Sequence, residues 1–185
     1  MKQGFVKVAS ATPRIRVADP VYNAQVICEQ AKEAAEHGAK IVVFPELCIT
    51  GYTCNDLFLQ ELLLEKAKEA LLTIVEETGQ LEALFLVGLP VDKDGRLYNV
   101  AAVLYRGRIL GMIPKKNIPM YAEFYEGRHF TPGEETVTEY RLGKQEIPFG
   151  TNLLFRCEEL PELILGCELC EDLWVAEPPS TSHAL

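Results

Sequence analysis

The sequence lacks any apolar run approaching the roughly 18 residues that a membrane-spanning helix requires. No charged and then apolar leader comes first either. Met1-Lys2-Gln3-Gly4 leads directly into Phe5-Val6-Lys7-Val8-Ala9, so no secretory signal is expected. A basic excess is missing as well: 18 Lys and Arg stand against 27 Asp and Glu, for a net charge of −9. That balance argues against nucleic acid or an anionic membrane as the main partner. Internal repeats and low-complexity tracts are absent, and 185 residues suit one domain with an ordinary core. Six cysteines occur, at 28, 48, 54, 157, 167 and 170. Without secretion they are expected to be reduced thiols in a cytosolic protein.

What is present reads as alternating strands and helices. Phe5 to Ala9 is expected to be a buried strand. Asp19 followed by Pro20 gives an N-cap and a first helical residue, and Ile27, Ala31, Ala34 and Ala35 continue at helical spacing until Gly38. Ile41 to Phe44 is a short continuous apolar run, the pattern of a strand covered on both faces. Strand, helix and strand in this order predict a βαβ unit. A second helix is expected from near Asp56 to Gly79, with Leu63, Ala67, Ala70, Leu71 and Ile74 on its buried stripe. Leu84 to Val87 follows as a strand. Asn99 to Tyr105 and Arg108 to Ile113 predict a hairpin about Arg106-Gly107. Pro114 to Gly133 reads as a long aromatic loop, a kind that usually serves binding or catalysis. Gly143 to Gly150 reads as a second loop. Leu153 to Arg156 and Leu163 to Leu169 are expected strands. The fold expected from these elements is a layered α/β domain with helices against a mixed sheet.

Three strand-like segments each end in a different reactive side chain. Val42-Val43-Phe44-Pro45 leads to Glu46, Ile113-Pro114 to Lys115, and Leu163 to Leu169 runs into Cys170. Ligands of open α/β sheets bind outside the carboxyl ends of strands. A carboxylate, an amine and a thiol on one rim would supply a base, an oxyanion stabiliser and a nucleophile. Each residue alone has a plainer reading: a buried inert thiol, a solvated strand-end carboxylate, a basic turn at Lys115-Lys116. Cys167-x-x-Cys170 also admits a redox pair, or half of a zinc site completed by Cys48 and Cys54. Glu123 or Glu126, set among aromatics, is a structural partner on the plain reading, and Glu123 could anchor Lys115. His37 and His129 have no evident partner, and Glu134-Glu135 reads as a solvated loop.

Beyond this reading, Phe44-Pro45-Glu46-Leu47-Cys48-Ile49-Thr50-Gly51-Tyr52, Pro114-Lys115 with Ile118 to Glu126, and Cys170-Glu171-Asp172-Leu173-Trp174 resemble the nitrilase, or carbon–nitrogen hydrolase, superfamily. Gly51 to Phe58 and Pro178-Pro179-Ser180 look like one branch of it, the amino-terminal glutaminase domains of glutamine-dependent NAD synthetases. The resemblance implies an α-β-β-α sandwich, incomplete because the chain stops after the catalytic cysteine strand. It implies Glu46 as general base, Lys115 as oxyanion stabiliser, Cys170 as nucleophile and Glu123 as a supporting carboxylate. Tyr121, Glu171 and Trp174 look like the lining of a glutamine pocket, and Tyr52 like a residue at the mouth of an ammonia path. Lys116-Asn117 departs from the small or aromatic residues expected after the catalytic lysine.

On the same resemblance, residues 1–185 are part of a glutaminase domain whose remainder is absent, together with the synthetase domain. No metal or cofactor is expected in this fragment; ATP and Mg belong with the synthetase domain. Glutamine is the expected substrate, the synthetase domain of the same parent chain the expected partner, and association of copies through the sheets the expected assembly. Two other readings remain open at this level. One is a free-standing amidase of the superfamily; the other is a fragment without turnover.

Overall fold

The structure, a computed structural model, describes residues 4–185. Met1 to Gln3, on which the expectation about a leader partly rests, lie outside the described residues. The chain order is β1 (Val8–Ser10), α1 (Pro20–Glu36), β2 (Ile41–Val43), α2 (Glu61–Glu77), β3 (Leu84–Lys93), β4 (Arg96–Tyr105), β5 (Arg108–Pro114), β6 (Thr138–Leu142), β7 (Gln145–Phe149), β8 (Phe155–Arg156), β9 (Ile164–Leu165) and α3 (Pro179–His183). A mixed seven-stranded sheet has the order β1-β2-β3-β4-β5-β7-β6, and β8 with β9 forms a separate ribbon. The expected α/β class is therefore found.

Strand direction decides where the chemistry sits. β1, β2 and β3 are mutually parallel, β4 is antiparallel to β3, and β5 is antiparallel to β4. β2 and β5 consequently run the same way, and Glu46 and Lys115 leave the sheet at one rim. β4 runs oppositely, so Asn99 near its start lies at that rim, with its neighbour Val100 opposite Pro114.

The helices bury one face of this sheet. Asp19 caps α1 by accepting from the Tyr22 amide at 3.1 Å, ahead of Pro20. Ile27, Cys28 and Ala31 of α1 and Ala67, Leu71 and Ile74 of α2 share a core with Val42, Phe85, Val87, Val100 and Ala102. On the other face, Ala101, Val103 and Ile113 meet Leu153, Phe155, Cys167 and Leu169. The ribbon and the turn after it thus lie across the sheet, opposite the helices.

Several expectations need correction. β1 is an exposed edge: Phe5 is 79% and Val8 63% exposed, and only the small Ala9 packs toward the helices. The second helix starts at Glu61, because a 3-10 segment, Tyr52–Leu59, is broken at Asn55, whose φ is +50°. Gly143 to Gly150 is mostly strand β7, paired with β6; Ile147 and Phe149 turn inward, and the outward Pro148 interrupts the apolar and polar alternation that would mark the strand. The strand expected to run from Leu163 to Leu169 shrinks to the two residues of β9. Cys170 therefore does not arrive from the main sheet.

Candidate active site

Glu46 stands on a loop that folds back over β3. The Ile49 amide donates to Gly88 O at 3.1 Å, and Asn23 of α1 holds Ile49 O from the other side at 2.9 Å. Leu47 takes φ +53° to make this turn. A Cβ on Gly88 would stand 2.3 Å from Leu47 N and 2.8 Å from Pro45 O, so the close approach requires glycine.

Lys115 is fully buried immediately after β5. Its ammonium donates to Glu46 Oε1 at 2.8 Å and to Glu126 Oε1 at 2.7 Å. Two of its three N–H groups are thereby engaged. Burial opposes its charge, but the two carboxylates outweigh that and hold its pKa above the ordinary lysine value. Lys115 is a fixed cation. Lys116 instead reaches outward to Glu135 at 2.7 Å. This geometry separates the two adjacent lysines and favours the first.

Glu126 corrects the expectation for Glu123. Glu123 is exposed, whereas Glu126, in a short 3-10 turn, is buried and grips Lys115. Glu126 Oε1 also accepts from Tyr52 Oη at 2.7 Å. Glu46 Oε1 accepts a second bond, from Asn99 Nδ2 at 2.6 Å. Burial raises the Glu46 pKa, Lys115 acts against it, and the net position is above the ordinary carboxylate.

Cys170 opens a 3-10 turn, Cys170–Leu173, with φ +46°. That left-handed conformation costs a side-chain-bearing residue about 1–2 kcal/mol. Asp172 holds the turn in place. Its buried carboxylate accepts from the amides of Leu169 at 3.1 Å, Lys116 at 3.1 Å and Asn117 at 2.7 Å, and from Asn117 Nδ2 at 2.9 Å. The residue after Lys115 is thus tied directly to the residue two past Cys170. The Cys170 thiol is exposed, and burial of part of its surface raises its pKa. The Glu46 charge raises it further and Lys115 lowers it, so the sulfur lies in the field of both groups. At neutral pH it rests as a thiol.

The expected pocket residues divide. Tyr121 Oη donates to Glu171 Oε2 at 2.7 Å, beside Cys170. Tyr52 faces the carboxylates through Glu126. Trp174 is 74% exposed and encloses nothing here. His129, without an evident partner in the sequence, contacts Asp56 at 3.1 Å, and Arg128 pairs with the same carboxylate at 2.7 Å. All six cysteines are free thiols, and the described residues hold no group of three or more His, Cys, Asp or Glu arranged for a metal ion. The four-cysteine zinc alternative finds no such cluster. Burial pushes the Cys48 and Cys167 thiols up to about 12, which suits inert packing rather than redox exchange. Two recesses of about 340 Å³ lie elsewhere, one around Tyr98 and Phe149, the other around Ile164 and His183. The first is lined by the pairs Lys93–Asp94 and Arg96–Glu134 and the second by Cys167, Glu168 and His183, and neither holds a buried lysine between two carboxylates.

Asn99 and Asp172 carry no expected role in the sequence. An amide between Tyr98 and the apolar run from Val100 was the available signal for the first, and an aspartate where burial ends the signal for the second.

Comparison with known proteins settles the family. The carbon-nitrogen hydrolase family matches residues 7–182. This chain belongs to the carbon-nitrogen hydrolase family. The glutamine-dependent NAD(+) synthetase of Mycobacterium tuberculosis is 41% identical over 184 residues, which are 100% of this chain and 27% of the relative. That of Thermotoga maritima is 31% identical over 185 residues, 28% of its length. The chain therefore spans little more than a quarter of these relatives. Among solved structures, a glutamine-dependent NAD(+) synthetase from Cytophaga hutchinsonii aligns with a TM-score of 0.82 at 28% identity, over 90% of this chain and 28% of that one. An amidase from Nesterenkonia sp. aligns with a TM-score of 0.58 at 23% identity, over 77% and 54% of the two chains, and shares the fold.

Proposed function

We propose that these residues form the first part of the glutamine amidohydrolase domain of a glutamine-dependent NAD synthetase. The observation that carries this reading is a buried lysine clamped by Glu46 and Glu126, with the left-handed turn that bears the accessible Cys170 fastened by Asp172 to the amides of Lys116 and Asn117 just past that lysine. Identity of 41% across the chain to relatives bearing that name supports the choice of branch.

In this reading Glu46 takes the thiol proton as Cys170 Sγ attacks the carbonyl carbon of the glutamine side-chain amide. The remaining N–H of Lys115 and the backbone N–H of Glu171 receive the developing oxyanion. One such donor contributes about 3–4 kcal/mol to transition-state stabilisation. The tetrahedral species collapses: the carbon–nitrogen bond breaks, and the nitrogen leaves as ammonia carrying the proton from Glu46. A glutamyl thioester remains. Water then attacks it, Glu46 accepts a water proton, and glutamate departs as the Cys170 sulfur regains its proton. Lys115 stays charged throughout, because both of its carboxylate partners favour the ammonium. Its part is electrostatic.

The ammonia would serve an adenylated nicotinic acid dinucleotide in a synthetase domain of the same polypeptide. ATP and magnesium belong to that domain, and no residue here is assigned to them. The 185 residues alone would lack turnover, since the rest of the domain completes the substrate pocket. No helix among the described residues is long and apolar enough to cross a membrane; a cytoplasmic homo-oligomer is the assembly this reading favours. In the full-length polypeptide, Cys170→Ala should abolish glutamine-dependent ammonia release while NAD synthesis from added ammonia persists. Glutamine hydrolysis retained in that variant would remove the assignment.

A further inference from the structure

We propose that Asn99 is a positioning residue that fixes which oxygen of Glu46 serves as the base. Asn99 lies at the start of β4, fully buried on the rim where β5 ends. Its Nδ2 donates to Glu46 Oε1 at 2.6 Å and makes a longer contact to Glu126 Oε2 at 3.4 Å. Lys115 reaches the same Glu46 Oε1 at 2.8 Å. Two donors therefore occupy one oxygen. Oε2 of Glu46 has no hydrogen bond among the described residues, and the side chain keeps 17% of its surface open. A base with one oxygen tied down presents its other oxygen in a fixed direction, toward whatever proton enters from the opening.

The opposite end of the amide shows what this arrangement costs. Asn99 Oδ1 is buried and has no partner among the described residues. An unmade hydrogen bond at a buried carbonyl is destabilising. Turning the amide over would not help, because it would press the carbonyl against Glu46 Oε1 at the present 2.6 Å separation. The carboxylates therefore dictate the orientation, and the orphaned oxygen follows from it. A residue selected for core packing alone would be apolar at this position, as its neighbours Val100, Ala101 and Ala102 are.

The electrostatic consequence has a definite sign. The groups facing Glu46 are Lys115 from the end of β5, Glu126 from its 3-10 turn, Asn99 from β4, Tyr52 from the preceding 3-10 segment and Cys170 from the nucleophile turn. Burial and Glu126 push the Glu46 carboxyl up, whereas Lys115 and Asn99 pull it down. Removing the Asn99 donor leaves less opposition to burial, and the carboxyl then holds its proton to higher pH.

The activity arm of the test rests on the reading under Proposed function; a second arm does not. In the full-length polypeptide, Asn99→Leu keeps the side chain's size and removes both polar groups. The rate of Cys170 alkylation by iodoacetamide, mapped by mass spectrometry, is followed against pH without any substrate. The low-pH limb of that profile reports Glu46, which must be ionised to take the thiol proton, and it should move to higher pH than in the wild type. Glutamine hydrolysis at neutral pH should fall about tenfold through kcat with KM little changed, the size of one hydrogen bond to a charged acceptor. Asn99→Ser, which restores a shorter donor, should fall between the two. An acid limb unmoved in a folded Asn99→Leu protein overturns the proposal, as does failure of both variants to fold, which would make the residue structural. Wild-type protein lacking glutamine hydrolysis would overturn the functional reading while the alkylation profile still decides the role of Asn99.

Discussion

Replacing Lys115 by methionine removes the charge and keeps the length of the side chain. Lys115 is wholly buried between two carboxylates at 2.8 and 2.7 Å, so its loss strands Glu46 and Glu126 without a cation. Removing one partner of a buried ion pair costs about 3–5 kcal/mol. The cost should depend on pH. A buried carboxyl deprived of its cation has a folded pKa raised above its unfolded value of about 4.3. Such a group favours the folded state at low pH, and that contribution is lost as pH rises from the unfolded toward the folded pKa. Burial already raises Glu46 in the wild type, and the substitution adds to that direction. The gap in stability between Lys115→Met and wild type should therefore be smaller at pH 5 than at pH 8, read from urea midpoints of the full-length polypeptide. Glutamine hydrolysis should be lost at both. Lys116→Met is the control, since its exposed pairing with Glu135 is screened by solvent and contributes little. A Lys116 variant more damaged than the Lys115 variant, or a Lys115 variant as stable as wild type at pH 8, would refute the reasoning.

Gly88→Ala should lower stability by about 1–3 kcal/mol, the range for forced overpacking, because the new Cβ would meet Leu47 N at 2.3 Å. Activity should fall with it, as the loop carrying Glu46 must move; unchanged activity and melting temperature would show that the close approach is not needed. A glutamine-like electrophile should label Cys170 before the buried Cys48 and the half-buried Cys167, whose thiols are held up to about 12. Peptide mapping that finds Cys48, Cys54 or Cys167 modified first would place the reactive thiol elsewhere.

Much of this arrangement is legible in the order of residues because it depends on local signals. The Asp19-Pro20 start of α1, the apolar run of β2 and the hairpin at Arg106-Gly107 follow from capping, continuous burial and turn chemistry. The β6–β7 hairpin is less legible because Pro148 interrupts the polar outward positions of β7, although Glu139, Tyr140, Arg141 and Leu142 of β6 do alternate outward and inward. β9 is shorter than its apolar run suggests because only Ile164 and Leu165 pair, with β8, while Cys167 and Leu169 further along pack across the sheet.

The amino-acid sequence by itself singled out Glu46, Lys115 and Cys170 as candidates and determined the strands that carry the first two, since hydrophobic pattern and family likeness are written along the chain. Only the tertiary structure decided that Glu126 rather than Glu123 grips the lysine, that Asn99 ties down one oxygen of Glu46, and that Asp172 fastens the cysteine turn to the end of β5. The reason is directional. Strand order and orientation bring β2, β4 and β5 to one rim, and which of two nearby carboxylates turns inward depends on the path of a loop that has no periodic signal.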